Sequence, residues 1–328
     1  MSRVLVTGGA GYIGSHAALA LMDAGREVVI YDDLSTGTAA GVPAGVHAFV
    51  QADVADAEAL EAAIRQYDCD RLIHFAGSIV VPESVERPID YYRNNTQATL
   101  SLAATAVEAG VKALIFSSTA VVYAPAETPG PLGEDAAKGP ISPYGASKLM
   151  SERMLTDIAR AHDLRVGVLR YFNVAGADPL GRAGQRSRTA THLIKVACEH
   201  VIGKRASLPV FGTDYPPPDG TCIRDYIHVS DLAEAHVLAL DHLRAGGDSF
   251  IANCGYGRGA SVLEVIAAFE ALLGRKLNVQ IEGRRPGDPP VLVADSSRLR
   301  SLVPWSPRFM DLGSIIGGAL AWERQLAS

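Results

Sequence analysis

Tyr144 and Lys148 stand four residues apart, the spacing that puts two side chains on one face of a helix. A phenol with an ordinary pKa near ~10 is a poor base at neutral pH. An ammonium beside it favours the phenolate, so the pair can take a proton from a hydroxyl. More hydroxyls fall at Ser117-Ser118-Thr119, directly after the apolar run Leu114-Ile115-Phe116. If that run is a strand of an open α/β sheet, the hydroxyls lie at its carboxyl end, where such folds bind ligands. Thr119 can then hydrogen-bond the same substrate hydroxyl as Tyr144, either orienting it or relaying its proton. A Tyr and Lys beside a Ser/Thr turn also occur on ordinary surfaces, and it is the strand context that makes these candidates.

The N-terminus supplies a partner for that chemistry. Val4-Leu5-Val6 runs directly into Thr7-Gly8-Gly9-Ala10-Gly11-Tyr12-Ile13-Gly14, a GxxGxxG arrangement opening a helix. Gly8, Gly11 and Gly14 make a tight turn without Cβ atoms in the way of a pyrophosphate, and the helix start at Tyr12 and Ile13 offers free amides and positive dipole. The second strand candidate ends at Tyr31-Asp32-Asp33, eighteen residues beyond Gly14. A carboxylate there accepts from both hydroxyls of an adenosine ribose and repels a 2′-phosphate, which selects NAD over NADP. Asp32-Asp33-Leu34-Ser35-Thr36-Gly37 is also good turn chemistry, so a turn role for Asp32 is the competing reading. Asp53, after Phe49-Val50, is expected at the end of the third strand, within reach of the adenine amino group. A positive nicotinamide ring would further favour the Tyr144 phenolate, and Lys148 can also hold the nicotinamide ribose.

Placing these groups requires a sheet. Val28 to Tyr31, Leu72 to Phe75 and Val166 to Leu169 are further short apolar runs, and they alternate with amphipathic stretches at Tyr12 to Ala24, Asp90 to Ala109 and Tyr144 to His162. Unbroken apolar strands separated by helices read as a parallel sheet covered on both faces, an α/β fold of the Rossmann-type doubly wound kind. After about Asn173 the alternation becomes irregular, with a Gly/Arg-rich stretch from Gly181 to Arg188 and Pro216-Pro217-Pro218. Such segments suit a smaller C-terminal α/β lobe whose loops close over a ligand. Residues 1–173, with a returning segment at about 222–247, are expected to form the NAD-binding domain, and 174–221 with 248–328 the substrate lobe.

Of the 328 residues, 48% are hydrophobic and 20% charged, which excludes a disordered or fibrous chain. Thirty Lys and Arg against 36 Asp and Glu leave a net charge of −6, with no general attraction to nucleic acid or an anionic membrane. An anionic ligand must therefore be held by local groups. The four cysteines lack both CxxC spacing and the density of a disulfide scaffold, so no metal is expected and the thiols read as reduced and mostly buried. No run approaches the roughly 18 to 20 apolar residues of a membrane span, and Met1-Ser2-Arg3 leads into a strand instead of a signal peptide. A cytoplasmic protein is the expectation.

Gly8 to Gly14 with Tyr144-Gly145-Ala146-Ser147-Lys148 resembles the extended short-chain dehydrogenase/reductase family. Blocks similar to its sugar-nucleotide epimerases follow in order: His74-Phe75-Ala76-Gly77, Tyr91-Tyr92-Arg93-Asn94-Asn95, Arg170-Tyr171-Phe172-Asn173 and Asp219 to Val229. The resemblance implies NAD contacts at Val54, Phe75, Ala76, Gly77, Asn94 and Phe172. It implies UDP-sugar contacts at Asn173, His192, Leu193, Pro209, Val210, Phe211, Arg224, Arg285, Asp288 and Leu292, joining Thr119 and Tyr144. Arginines suit a diphosphate, which needs fixed bidentate partners in an acidic protein. The implied reaction is interconversion of UDP-glucose and UDP-galactose through a 4-keto sugar, with UDP-pentoses or UDP-N-acetylhexosamines as alternative substrates and a non-catalytic NAD sensor as a remote one. A homodimer through the helices starting near Asp90 and Tyr144 is also implied. Relatives that dehydrate the sugar place Asp-Glu after the Thr, where this chain has Ala120-Val121. Ile79, Ala124, His192 and Leu292 depart from the better-known pattern of Lys, Gly, Asn and Tyr.

Overall fold

Val4 and Val6 cannot share a partner with Leu5, because successive strand residues point to opposite faces. A continuous apolar run therefore needs cover on both sides. The computed structural model, which describes residues 3–125, 130–187, 191–285 and 289–328, provides it. The strands are β1 (Arg3–Thr7), β2 (Val28–Tyr31), β3 (Ala48–Val50), β4 (Cys69–His74), β5 (Ala113–Thr119), β6 (Arg165–Tyr171), β7 (Asn173–Ala175), β8 (Leu208–Phe211), β9 (Ile223–His228), β10 (Phe250–Cys254), β11 (Gly259–Ser261), β12 (Val279–Glu282) and β13 (Val291–Leu292). Seven make one sheet in the order β10-β6-β5-β4-β1-β2-β3, with every neighbouring pair parallel.

The helices are α1 (Tyr12–Asp23), α2 (Ala57–Gln66), α3 (Val81–Glu86), α4 (Pro88–Tyr91), α5 (Ala98–Glu108), α6 (Pro143–Ala161), α7 (Leu193–Val201), α8 (Val229–Arg244), α9 (Val262–Leu273), α10 (Ser297–Leu302) and α11 (Leu312–Ala327). Val4, Val6, Ile30, Ile73 and Ile115 face α1 and α8, packing on Leu21, Leu232 and Ala235. Leu5, Val29, Leu72, Leu114 and Phe116 face the other way, against Leu60 of α2, Leu102 of α5 and Leu155 of α6. The doubly wound fold expected from the sequence is thus present.

Strand order reverses at β1, whose neighbours are β2 on one side and β4 on the other. Crevices at such switch points are where these folds bind ligands. The carboxyl ends of β1 and β4 carry Gly8 and Phe75, so the two sequence blocks meet there.

In the second lobe β9 pairs with β7 and β13 in parallel and with β11 antiparallel, while β8 pairs with β12. The first core layer runs on through Ile194, Cys198, Val210, Phe269 and Ile315, so the two lobes share one core. The chain's return to the main sheet runs through α8 and β10 (229–254), because β9 belongs to the small sheet. All four cysteines are free and buried.

The stretch expected as one helix from Asp90 to Ala109 is interrupted. Tyr92–Gln97 form a π-helical turn between α4 and α5. The widened turn holds Asn95 inward at 1% exposure, where its Oδ1 accepts from the Ser78 backbone N–H at 2.8 Å and its Nδ2 donates to Ser147 Oγ at 3.0 Å. Helix α6 begins where Ser142 caps it, accepting from the Gly145 N–H at 3.2 Å, with Pro143 supplying a preset first-turn φ.

Candidate active site

The chain leaves β1 through Gly8, whose φ of +69° suits glycine. A Cβ there would lie 2.5 Å from the backbone nitrogen of Ala76, so β1 and β4 can close together only around a glycine. Gly11 caps α1 without a side-chain hydrogen bond, leaving the first-turn amides of Tyr12 and Ile13 for a ligand. The tyrosine hydroxyl reaches the second lobe, donating to the Gly176 carbonyl at 2.7 Å. This cradle fits a dinucleotide pyrophosphate.

Asp32 is 7% exposed and fills the turn role that the sequence allowed. Its Oδ2 accepts from the Ala10 N–H at 3.0 Å and its Oδ1 from the Leu34 N–H at 2.8 Å, which shapes the turn. One lone pair remains on each oxygen for ribose hydroxyls. Burial pushes its carboxyl up, against the pull of those two amides. Asp53 lies in the turn before α2, three residues past β3, and accepts from the Ala55 N–H at 2.9 Å. With Ser78, Tyr91 and Asn94 it lines an open cavity of about 350 Å³, and Asn94 donates to Ser78 Oγ at 2.8 Å. Val54 is buried in the core, so only its main chain is available there. Phe75 packs against His236, ring centroids 4.8 Å apart.

The hydroxyl run and the Tyr/Lys helix do come together. Tyr144 is hydrogen-bonded to Thr119, which favours its phenolate, but burial outweighs that bond and drives the phenol up to about 12. Lys148 Nζ donates to the Ser117 carbonyl at 3.0 Å and sits 4.8 Å from the centroid of the Phe116 ring. Burial draws its ammonium down to about 8, opposed by Glu152. The protein alone therefore holds Tyr144 protonated, and turning it into a base requires further positive charge beside it.

Sequence reasoning passed over His74 and Asn95, although both lie in the quoted blocks. His74 bridges Thr7 Oγ1 at 2.7 Å and Thr99 Oγ1 at 3.1 Å, tying β1 and β4 to α5. Burial, then the Lys148 charge, lowers its imidazole to about 3, so it stays neutral. The available signal was a polar residue inside an otherwise apolar run.

Across the cleft, the Arg285 guanidinium lies 3.8 Å over the Phe211 ring. Desolvation, then the Arg285 charge, lowers the pKa of His192. Alternation along β8 half-buries Pro209 and Phe211 but sends Val210 into the core at 1% exposure, so its side chain is unavailable to a ligand. Leu193 opens α7 and packs on the shared core. It lines a small cleft with His192 and Asn173, the first residue of β7.

A second group forms at β9 and β13, where Arg224 pairs in register with Leu292. The guanidinium of Arg224 donates to the Ile223 carbonyl at 2.8 Å. Leu292 packs on a cluster containing Ala120, Tyr123 and Phe172, beside the Thr119 turn. Ile79 is exposed, and Ala124 follows Tyr123 in the same turn region. Asp288 lies outside the described residues.

Residues 4–255 match the sequence profile of the NAD dependent epimerase/dehydratase family. A UDP-glucose 4-epimerase of Azospirillum brasilense is 57% identical over 324 residues, covering 99% of this chain and 92% of that protein. Among solved structures, the UDP-glucose 4-epimerase of Brucella ovis in complex with NAD superposes with a TM-score of 0.93 at 44% identity, over 98% of both chains. The UDP-Glc/GlcNAc 4-epimerase of Campylobacter jejuni gives 0.86 at 43% identity, over 99% of this chain and all of that one.

The geometry around Asp32 yields a test of cofactor choice. Asp32→Ser should weaken NAD retention and reduce discrimination against NADP, since it removes two acceptors and a repulsive charge. Binding of both dinucleotides to cofactor-stripped protein by titration calorimetry checks this. Equal affinity of the unmutated protein for NADP and NAD would show that Asp32 does not select.

Proposed function

The chain belongs to the NAD dependent epimerase/dehydratase family, and from that premise we propose that it interconverts UDP-glucose and UDP-galactose by transient oxidation at sugar C4. The observation that carries this reading is the Tyr144 and Lys148 stripe set against Thr119, with Ala120 and Val121 in the next two positions. Those two side chains offer neither acid nor base for eliminating water, so the sugar keeps its oxygens.

A sugar C4–H has no neighbouring carbonyl to acidify it, which makes inversion by direct proton abstraction implausible. Gly8, Gly11, the first turn of α1, Asp32 and the Phe75 to Gly77 segment would hold NAD, which would supply the acceptor and donor of the C4 hydride and a positive ring favouring a Tyr144 phenolate. Tyr144 takes the O4 proton and later returns it, with Thr119 orienting the hydroxyl. Lys148 contributes its ammonium and holds the nicotinamide ribose. The 4-keto sugar turns within the site before reduction on its other face, so no cofactor is consumed.

Arg224 and Arg285 hold the diphosphate, and the face of Phe211 lies with Arg285 at the nucleotide end. Asn173, His192 and Leu193 border the same ligand across the shared cleft. We assign residues 1–173 and the returning segment chiefly to NAD and the remainder chiefly to the UDP-sugar. Exposed Ile89, Leu100 and Met150 on α4, α5 and α6 support a homodimer through the helices starting near Asp90 and Tyr144. No helix among the described residues is long and apolar enough to cross a membrane.

Incubating the purified protein with a panel of UDP-sugars and no added NAD, and identifying products by chromatography, tests the reading. Tyr144→Phe should bind UDP-sugar nearly as well as the unmutated protein while losing almost all turnover, because the ring still fills its space. Retention of more than about a tenth of the rate falls below the usual general-base contribution of roughly 10² to 10⁴ and would assign the base to another residue.

Leu292 favours a broader substrate range. It packs against Phe172 beside the Thr119 turn, and leucine is shorter than tyrosine and lacks its hydroxyl. UDP-glucose and UDP-galactose should be the main substrates, with measurable turnover of UDP-N-acetylglucosamine. A side-chain change of this kind in an apolar pocket is worth ~1 to 3 kcal/mol, so selectivity shifts by tens to hundreds of fold without becoming absolute. Leu292→Tyr should suppress kcat/KM for the acetylated sugar and spare the plain hexose. Equal loss of both would show that position 292 does not gate the acetyl group.

A further inference from the structure

Tyr144, Lys148 and Glu152 form one stripe of α6, four residues apart at each step, and they meet three successive residues of β5. The Tyr144 phenol meets Thr119, the Glu152 carboxylate accepts from the Ser118 hydroxyl, and Lys148 Nζ binds the Ser117 carbonyl. Glu152 has a second partner on β6. Arg170 Nε donates to Oε1 at 2.9 Å and Nη2 to Oε2 at 2.6 Å, with the two side chains 3% and 2% exposed. The guanidinium is tied further through Nη1 to the Tyr123 hydroxyl at 3.0 Å, and Tyr123 donates to Asn253 Oδ1 of β10 at 2.7 Å.

A buried ion pair gains little stability over well-packed apolar residues, because desolvation offsets its attraction. Here the geometry points elsewhere. The forked contact fixes α6 along and across the sheet at the level of the reacting groups, and its anion lies one turn from Lys148.

We propose that the Glu152–Arg170 pair is a positioning device for the proton transfer: it holds α6 in register against β5 so that Tyr144 faces Thr119, and it fixes a carboxylate one helical turn from Lys148. This inference rests on reading Tyr144 and Lys148 as base and cationic partner. The charged and titratable groups that the neighbouring elements bring to this region are Tyr144 and Glu152 on α6, His74 on β4, Arg170 and Tyr171 on β6, and Tyr91 of α4, which stands edge-on to Tyr144. His74 is neutral, the tyrosines are pushed up by burial and Arg170 is cationic, so Glu152 supplies the negative charge in this set.

The test is the pH profile of kcat for UDP-galactose in the holoenzyme. Without the Glu152 charge the Lys148 ammonium is lost at lower pH, so Glu152→Gln should lower kcat with KM unchanged and move the alkaline limb acidward by roughly one pH unit. Arg170→Lys keeps the carboxylate but breaks the fork, and should lower kcat with no acidward movement. An unmoved alkaline limb in Glu152→Gln, or the same movement in both variants, would overturn the charge role. Should Glu152→Gln fail to fold, Ser118→Ala carries the test by removing one rung and no charge. A kcat several-fold lower with an unmoved limb supports the register role, and an unchanged kcat refutes it. Absence of epimerase turnover in the unmutated protein would instead overturn the proposed function, so the two failures are distinguishable.

Discussion

A lysine ammonium stripped of water at position 148 must find its solvation in the protein, and that need reaches into most of the fold. The Ser117 carbonyl and the face of Phe116 supply part of it, both at the carboxyl end of β5. That end is central in the sheet, flanked by β4 and β6, so the cation is reached from α6 and excluded from solvent. The β4 side must then approach without bulk. A Cβ at Gly77 would lie 2.8 Å from Asn95 Oδ1 and 3.7 Å from Lys148 Nζ, which explains a glycine there. Asn95 reaches that spot because the helix ahead of α5 widens into a π turn.

Two lobes joined by one continuous core suit a reaction in which a sugar must turn while a cofactor stays put. The crevice at β1 and β4 is rigid, built from sheet ends and the start of α1. The side chains proposed for the far side of the ligand come instead from strand ends and loop edges: Phe211 closes β8, Leu292 closes β13 and His192 precedes α7. The Tyr12 contact with the Gly176 carbonyl and the pairing of Arg182 with Asp23 at 2.8 Å bind the lobes across this division.

What the sequence revealed follows from the range of the signals. The glycine loop, Tyr144 with Lys148 and the hydroxyl run that ends β5 are local patterns, legible from spacing and strand context. Alternating apolar runs likewise exposed the parallel sheet, because burial on both faces leaves a compositional trace. Arg170 and Glu152 are eighteen residues apart on different elements, and no local pattern marks a pairing made by tertiary packing. The π turn escaped because its residues keep helical periodicity on either side. Val210 was counted with its neighbours Pro209 and Phe211, although strand alternation turns it the opposite way, into the core. The small sheet, with strands as short as Val291–Leu292, left too few residues for a period to register.

Hydride passage at C4 is the step on which the roles proposed for Tyr144, Lys148, Thr119 and the glycine cradle all depend. UDP-galactose carrying deuterium at C4, turned over in ordinary water, probes it directly through mass and NMR analysis of the UDP-glucose formed. Transfer and return of the same hydride leaves the deuterium at C4 of the product. Exchange of that deuterium with solvent hydrogen would mean proton abstraction from carbon, and would contradict the oxidation and reduction described above.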